Sequence, residues 1–160
     1  TVKSMSTLEV PMIEGVSLIP LQQIHDERGK VMHMLRVTDS HFEKFGEIYF
    51  SCTYPGVVKG WHKHSDMTLN YAAVTGVVKV VLFDDRSASK TKGEVQEIYL
   101  TQENYCLLVV PPLVWNGFKA IGTKEVIVAN CATIPHSGGE IERLAYDDPY
   151  IPYDWGIIHR

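Results

Sequence analysis

Apolar residues along the chain fall into short runs of β-branched and aromatic side chains separated by turn-forming residues. Strand-like runs recur at residues 47–54, 76–84, 94–100, 105–111 and 125–133. Val, Ile, Tyr and Phe favour strands, whereas Gly, Pro, Asp and Ser mark the turns between them. The pattern predicts an all-β protein of jelly-roll type, a sandwich or barrel in which two sheets enclose a cavity.

Helical spacing is confined to one short segment. Residues 39–46, DSHFEKFG, start with acidic and hydroxyl side chains and end in glycine, which predicts one or two helical turns. Residues 146–160 are rich in proline and aromatic side chains and are predicted to wrap the barrel. Residues 138–140, GGE, are predicted to shape a loop. We expect a single domain over residues 1–160, because this length suffices for one hydrophobic core.

Charge and composition exclude several classes of function. The chain has 15 Lys and Arg against 19 Asp and Glu, without a basic stripe, which argues against nucleic-acid binding. No apolar run approaches the ~18 to 20 residues that span a bilayer, and the first ten residues lack a signal-peptide core. We therefore predict a cytoplasmic protein without a membrane partner. Cys52, Cys106 and Cys131 are odd in number and far apart, which predicts buried, reduced thiols.

The stretch GWHKH, residues 60–64, carries the main candidate chemistry. Alternate residues of a strand share a face, so His62 and His64 are predicted to point together into the cavity. Lys59 would face the opposite side unless Gly60 introduces a bulge. The histidines suit either metal binding or proton transfer. A functional metal site needs about three protein ligands, and Glu47 is the one obvious further carboxylate, so we predict no metal and no cofactor.

Five collinear segments resemble the dTDP-4-dehydrorhamnose 3,5-epimerase family of RmlC-like cupins. The resemblance covers about residues 14–156. It implies a double-stranded β-helix, or jelly-roll barrel, with few short helices. It also implies a nucleotide-activated 4-keto-6-deoxy sugar as small-molecule substrate, and a homodimer. The segments are IPLQQIHDERGKVMHMLR, GVVKGWH, GVVKVVLFDDR, LTQENYCLLVVPPLVWNGF and YDDPYIPYDWG.

The resemblance also implies roles for individual residues. Arg28, in DERG, matches an arginine at the nucleotide diphosphate, and Lys59 stands where the family usually has a second arginine. Ser51 matches a polar position in the cavity. His62 matches the general base, and Asp148, in DDP, matches the carboxylate that orients it.

The chemistry explains why such a base is needed. A ketone at C4 acidifies the hydrogens on C3 and C5, but a base must still remove a carbon-bound proton near neutral pH. Histidine, with an ordinary pKa of about 6.5, accepts a proton there. The resulting enolate oxygen needs a positive or hydrogen-bonding neighbour, and inversion needs an acid on the opposite face of the sugar ring.

The chain departs from the family at the acid and at two further positions. The family's lysine near the enolate falls at Leu69 or Asn70, and its second histidine is replaced by Asn116. Its tyrosine acid falls within residues 126–135, which contain no tyrosine. A base and its orienter are therefore predicted without the family's acid.

Three hypotheses remain for the missing acid. Tyr49 or Tyr71 donates the proton from a new direction, giving inversion at one carbon. Alternatively, His64 is the second proton handler, as in sugar 3,4-ketoisomerases, whose G-x-H-x-H stretch GWHKH resembles. The third hypothesis is a non-catalytic homologue that binds a sugar nucleotide. Glu47, Tyr49 and Asn116 complete the predicted substrate contacts.

Overall fold

The computed structural model describes residues 12–160, which form twelve strands and one turn of 3-10 helix. The chain order is β1 (Ser17–Pro20), β2 (Gln23–Asp26), β3 (Gly29–Met32), β4 (Glu47–Thr53), β5 (Val58–His64), β6 (Leu69–Thr75), β7 (Val77–Phe83), β8 (Val95–Leu100), β9 (Cys106–Val110), β10 (Trp115–Ile121), β11 (Val126–Ala132), the 3-10 turn η1 (Gly138–Glu140) and β12 (Ile141–Arg143).

Ten of these strands form two five-stranded antiparallel sheets. The first sheet has the order β1-β9-β6-β11-β4, and the second has the order β12-β5-β10-β7-β8. Strands β2 and β3 form a separate hairpin. Neighbours in each sheet are mostly distant in sequence, as in a jelly roll, so the predicted all-β architecture is confirmed. The five predicted strand runs correspond to β4, β7, β8, β9 and β11.

The main hydrophobic core lies between the two sheets, where alternate residues of each strand face inward. In β7, Val78, Val80 and Leu82 belong to this core. A second apolar cluster lies on the outer face of the second sheet, where Val81 and Trp61 pack against the C-terminal segment. The predicted wrapping of that segment around the barrel is therefore confirmed. Its contributions to the cluster are Leu144, Ile151, Tyr153 and Trp155.

The predicted helix at residues 39–46 is wrong, and residues 12–160 contain no α-helix. Asp39 N donates to Arg36 O and Phe42 N donates to Asp39 O, both at 3.0 Å, so this region forms separate turns. The Asp39 carboxylate also accepts a hydrogen bond from Arg36 N at 2.8 Å. Such side-chain bonds compete with helix formation, and so short a segment gains too few helical bonds to offset nucleation.

The three cysteines are free, but their burial differs from the prediction. Cys106 is buried and Cys131 half-buried, whereas Cys52 is exposed. Cys52 lies on the side of β4 that faces away from the core, and β4 is an edge strand. No helix among residues 12–160 is long and apolar enough to cross a bilayer.

A β-bulge in β5 determines which side chains enter the barrel. Asn116 pairs with His62, but Phe118, two residues further along β10, pairs with Lys59, so β5 contains one extra residue. Phe118 belongs to the core between the sheets. Lys59 and His62 therefore both face inward. A bulge at Gly60 was the condition under which the sequence allowed Lys59 to share a face with His62, and that bulge is present. A side chain at position 60 would lie 2.9 Å from Tyr146 N.

Candidate active site

A pocket of about 390 Å³ lies between β5 of the second sheet and β4 of the first. His62 and His64 enter it from β5, and Glu47 and Tyr49 enter it from β4. The structure thus brings together four residues that the sequence singled out. The remaining lining residues are Met67, His136, Ile141 and Arg143.

The half-buried His62 ring has a defined orientation. Its Nδ1 atom is 3.1 Å from Gly60 O, and its Nε2 atom is 3.5 Å from the Tyr71 hydroxyl. Because a carbonyl oxygen only accepts hydrogen bonds, Nδ1 carries the proton and Nε2 carries the lone pair. Burial, then the neighbouring His64 and Arg143, lower the pKa of His62 to about 4 against the opposing effect of Gly60 O. His62 is therefore neutral and able to accept a proton at neutral pH.

Asp148 does not orient His62 as the sequence resemblance implied. Its carboxylate accepts a hydrogen bond from Tyr150 N at 2.9 Å, and its backbone oxygen accepts one from Ile151 N at 3.3 Å. No hydrogen bond joins Asp148 to His62 within the described chain. The reason is positional, because the segment continuing through Ile151 packs on the outer face of the second sheet whereas His62 faces inward. Gly60 O, instead of Asp148, accepts the hydrogen bond from Nδ1 of His62.

A carboxylate does hold the neighbouring histidine. Both His64 and Glu140 are buried, and His64 Nδ1 donates to Glu140 Oε1. Glu140 Oε2 also accepts hydrogen bonds from the backbone N–H groups of Asp66 and Met67, each at 3.3 Å. Burial raises the pKa of Glu140, but these bonds and the interaction with His64 leave it below its usual value.

The sequence missed this pair because Glu140 lies 76 residues from His64. Residues 138–140 were predicted to shape a loop, and η1 does form there. The informative signal was the IER segment after Glu140, whose alternation is typical of a strand. Once β12 pairs with β5, with Ile141 opposite His64, the preceding glutamate lies beside the histidine.

Three polar residues form a row across the inner face of the first sheet. Asn130 of β11 pairs with Tyr49 of β4 on one side and with Tyr71 of β6 on the other. Asn130 Nδ2 donates to the Tyr49 hydroxyl oxygen at 2.9 Å, while Asn130 Oδ1 accepts from Asn70 N at 3.0 Å. The Tyr49 hydroxyl thus accepts one hydrogen bond and keeps its own proton for another partner.

Tyr71 extends from the first sheet to the His62 ring, and its hydroxyl lies 3.5 Å from His62 Nε2. It is buried, and its hydroxyl donates to Asn116 Oδ1 at 3.0 Å. Asn116 Nδ2 in turn donates to His62 O at 3.2 Å. Burial raises the pKa of Tyr71 well above its ordinary value. Tyr71 and Asn116 therefore support the His62 ring, while Tyr49 lies two strands, about 10 Å, from Tyr71 along the first sheet.

Lys59 and Ser51 lie together next to the pocket. Lys59 Nζ donates to Ser51 Oγ at 2.7 Å and to Cys52 O at 2.9 Å. Ser51 is two residues from Tyr49 along β4, and Lys59 is separated from His62 by the bulge in β5. The pair therefore extends the inner face that carries Tyr49 and His62.

Arg28 lies apart from the pocket within the protomer. It occupies the turn of the β2–β3 hairpin, its side chain is 85% exposed, and its Nε donates to Asp26 Oδ1 at 3.2 Å. Arg28 and Lys59, both predicted at a diphosphate, are thus not brought together within one chain.

Arg143 is a pocket residue that the sequence did not indicate. It pairs directly with His62 across the β12–β5 ladder. Its guanidinium makes no hydrogen bond or ion pair with residues 12–160, which leaves its donors for a ligand. Within the same range, no group of three or more His, Cys, Asp or Glu side chains is placed to hold a metal ion. Glu47, the candidate metal ligand, accepts a hydrogen bond from His136 N at 3.0 Å.

Comparisons with known proteins agree with this architecture. The model of the dTDP-4-dehydrorhamnose 3,5-epimerase family matches residues 11–160. A crystal structure of a dTDP sugar isomerase from Desulfovibrio desulfuricans G20 superimposes with a TM-score of 0.88 at 47% identity, covering 89% of this chain and 92% of that one.

Two curated relatives also align along nearly the whole chain. The probable low-salt glycan biosynthesis epimerase Agl13 of Haloferax volcanii is 35% identical, over 94% of this chain and 99% of its own length. The spore coat polysaccharide biosynthesis protein SpsL of Bacillus subtilis is 32% identical, over 93% of this chain and 100% of its own length.

Proposed function

Since the chain belongs to the dTDP-4-dehydrorhamnose 3,5-epimerase family, we propose that it isomerises a nucleotide-activated 4-keto-6-deoxy sugar, with His62 as the base. The observation that carries this proposal is the state of His62. Its Nδ1–H is held by Gly60 O, and its Nε2 lone pair faces the inner side of the barrel. A lowered pKa keeps the ring neutral at the pH where the base must act.

The first step follows from this arrangement. Nε2 of His62 takes a proton from a carbon next to the ketone, and the C–H electron pair forms the carbon–carbon double bond of an enolate. The Gly60 carbonyl, which has no formal charge, takes the orienting role implied for Asp148 and stabilises the imidazolium once it forms.

Tyr49 is the proposed acid for inversion. It enters the pocket from the sheet opposite to β5, and Asn130 fixes its hydroxyl without using its proton. Tyr49 lies two strands, roughly 10 Å, from Tyr71 along the first sheet, and it is the Tyr71 hydroxyl that contacts the His62 ring. A proton delivered to the face opposite His62 inverts the carbon. Tyr71 is not suited to this step, because its hydroxyl contacts His62 and donates its proton to Asn116.

Lys59, Ser51 and Arg143 are the proposed contacts to the nucleotide diphosphate and sugar. Two oxygen acceptors, Ser51 Oγ and Cys52 O, hold Lys59 Nζ next to the pocket. Arg143 lies beside His62, and its guanidinium makes no hydrogen bond or ion pair with residues 12–160. Ammonium and guanidinium groups both suit phosphate oxygens, the latter in bidentate geometry. The similarity to a dTDP sugar isomerase supports dTDP as the nucleotide.

A homodimer is proposed to bring Arg28 to this site. The outward face of edge strand β4 carries Ile48 and Phe50, which are 51% and 60% exposed, and the hairpin carries Ile24 and Val31, which are 48% and 57% exposed. Apolar side chains on a free edge and on a projecting hairpin are typical of an interface. We expect I48K/F50K to convert a dimer into a monomer in light scattering, and an unchanged mass would contradict this interface.

Deuterium exchange tests the proposed reaction. A dTDP-4-keto-6-deoxy sugar is incubated with the protein in heavy water, and C3 and C5 are followed by NMR. We expect solvent deuterium at one or both carbons together with an inverted product. Binding of the sugar nucleotide without exchange would instead identify a sugar-nucleotide-binding protein without turnover.

The proximity of the two histidines favours a second candidate, a sugar 3,4-ketoisomerase. The His62 and His64 rings have centroids 5.7 Å apart on one wall of the pocket. Two proton carriers on one face of a sugar suit transfer between adjacent carbons. The same NMR spectra separate the candidates, because ketone migration moves the carbonyl carbon from C4 to C3 whereas epimerisation leaves it in place.

A further inference from the structure

We propose that His64, held by Glu140, is the electrophile of the site: its imidazolium stabilises the negative C4 oxygen that forms when His62 removes the carbon-bound proton. Glu140 is the positioning residue that orients His64 and pairs with it. The inference rests on the proposed function and assigns a residue to the enolate, for which the sequence offered Leu69 or Asn70.

Neither of those two positions supplies a cation. Leu69 belongs to the core. Asn70 is buried, and its Nδ2 donates to Cys131 O at 2.9 Å. An enolate requires a fixed positive or hydrogen-bonding group. The requirement must therefore be met by a different side chain lining the pocket.

The contacts of Glu140 single out His64 for this role. The carboxylate uses Oε1 for His64 Nδ1 and Oε2 for the backbone N–H groups of Asp66 and Met67. These donors keep it ionised, so it accepts a proton donated by Nδ1. The other ring nitrogen, Nε2, is left for the pocket that His64 lines. Paired with Glu140 as an imidazolium, His64 donates from both ring nitrogens, Nδ1 to the carboxylate and Nε2 into the pocket.

The two histidines therefore occupy opposite electrostatic environments. His62 has a neutral carbonyl at Nδ1, whereas His64 has a carboxylate. A positive charge on His64 favours the neutral form of His62, which is the form a base needs. Neighbouring titratable groups whose environments differ in this way divide acid and base roles.

The charged groups around His64 come from every side of the pocket. Glu140 contacts it from η1, His62 lies on its own strand, and Arg143 lies on β12. Glu47 and His136 line the remaining walls. Glu140 is the one carboxylate among residues 12–160 that bonds to the His64 ring.

The competing cations are less well placed for the enolate. Arg143 belongs to the exposed residues of β12, and Lys59 Nζ already donates to Ser51 Oγ and Cys52 O. His64 is buried, and a charge acts more strongly where water is excluded.

The electrons balance without a further reactant. The C–H bond breaks as Nε2 of His62 takes the proton, the C–H pair becomes the carbon–carbon double bond, and the carbonyl π pair moves to the C4 oxygen. His64 Nε2–H hydrogen-bonds to that oxygen. When a proton returns to carbon, the electron pairs revert and His64 keeps its proton.

The test compares H64Q and E140Q with wild type and with E142Q. Glu142 is an exposed glutamate two residues further along, paired with Lys63 at 3.8 Å, and serves as a matched control. The readout is the pseudo-first-order rate of deuterium exchange at the carbon next to the ketone, from pH 5.5 to 9, with dTDP affinity measured in parallel. We expect H64Q to lower the rate about 100-fold, the usual effect of removing one oxyanion donor.

E140Q keeps the shape and the hydrogen-bond acceptor but removes the charge. We expect E140Q to lower the exchange rate about tenfold and E140D to restore most of it, because a charge-assisted hydrogen bond to His64 needs a carboxylate. E142Q should retain the wild-type profile, and dTDP affinity should change less than threefold in all variants.

The outcomes separate this inference from the proposed function. Exchange that disappears in H62N but is unchanged in H64Q would overturn the role of His64 while leaving the base in place. An equal loss in E140Q and E140D would show a structural role for Glu140 and contradict its electrostatic one. Wild-type protein that binds dTDP sugar but exchanges no deuterium would overturn the proposed function itself.

Discussion

Asn130 donates a hydrogen bond of 2.9 Å to the hydroxyl oxygen of Tyr49, its ladder partner on the adjacent strand. The bond joins a position within the segment where the family's acid was expected to a tyrosine on the neighbouring strand. The Tyr49 hydroxyl consequently lies on the inner face of the first sheet, opposite the wall that carries His62. Replacement of the expected tyrosine therefore leaves a phenol available from an adjacent strand.

The substitution Tyr49→Phe should separate proton removal from inversion. Removing the hydroxyl eliminates the proposed acid but leaves His62 and its partners unchanged. We expect deuterium exchange within threefold of wild type and formation of the inverted product at least about 100-fold slower, a typical contribution of a positioned acid. NMR of the product in heavy water gives both rates from one sample.

Tyr71→Phe is the matched comparison. It removes a buried hydrogen bond to Asn116 and should cost about 1 kcal/mol of unfolding free energy. Its ratio of inversion to exchange should remain that of wild type. A lower ratio in Tyr71→Phe with a normal one in Tyr49→Phe would assign the acid to Tyr71 instead.

Lys59 should contribute to binding more than to chemistry. We expect Lys59→Met to weaken dTDP binding about tenfold, because a phosphate loses a charged hydrogen-bond donor, and Lys59→Arg to restore most of it. Calorimetric titration with dTDP measures both. Lys124→Met, at an exposed turn, is the control. Equal affinities of Lys59→Met and Lys124→Met for dTDP would contradict a contact between Lys59 and the diphosphate.

Gly60 links the bulge in β5 to the C-terminal wrap. A Cβ at this position would lie 2.9 Å from Tyr146 N and 3.2 Å from Tyr146 Cβ. We expect Gly60→Ala to lower the unfolding free energy by about 1 to 3 kcal/mol through overpacking, measured by urea denaturation. Gly138→Ala meets no atom within 4 Å and is the comparison. Equal unfolding free energies of the two variants would show that the C-terminal segment accommodates the added Cβ without a loss of stability.

His62 should also make stability depend on pH. The unfolded chain binds a proton at this residue below pH 6.5, but the folded protein does so only below about 4. Between these values the unfolded state holds more protons, so the free energy of unfolding falls as the pH drops. We expect wild type to lose up to about 3 kcal/mol more than H62N between pH 7 and pH 4. Urea denaturation across this range is the measurement, and parallel curves for the two proteins would contradict the lowered pKa.

The sequence predicted much of the fold because strands leave local signals. Alternation and β-branched residues located β4, β7, β8, β9 and β11, and the spacing of His62 and His64 indicated their common face. The helix predicted at residues 39–46 was wrong because acidic residues and glycine are as common in turns as they are at the two ends of a helix.

The site itself depended on long-range contacts that no local pattern encodes. Glu140 meets His64 only after β12 joins β5, and Asn130 meets Tyr49 only after β11 pairs with β4. The Asp148 prediction failed for the related reason that β5 separates the C-terminal wrap from the pocket. The resemblance singled out His62, which does line the pocket, but it could not reveal which carbonyl or carboxylate each imidazole contacts.

The most direct measurement of the central claim is the rate of deuterium exchange into a dTDP-4-keto-6-deoxy sugar by wild type and by H62N at pH 7.5. Asparagine cannot accept the proton, so the account predicts that H62N loses exchange by at least about 100-fold while binding dTDP within threefold of wild type. Equal exchange by the two proteins would contradict His62 as the base.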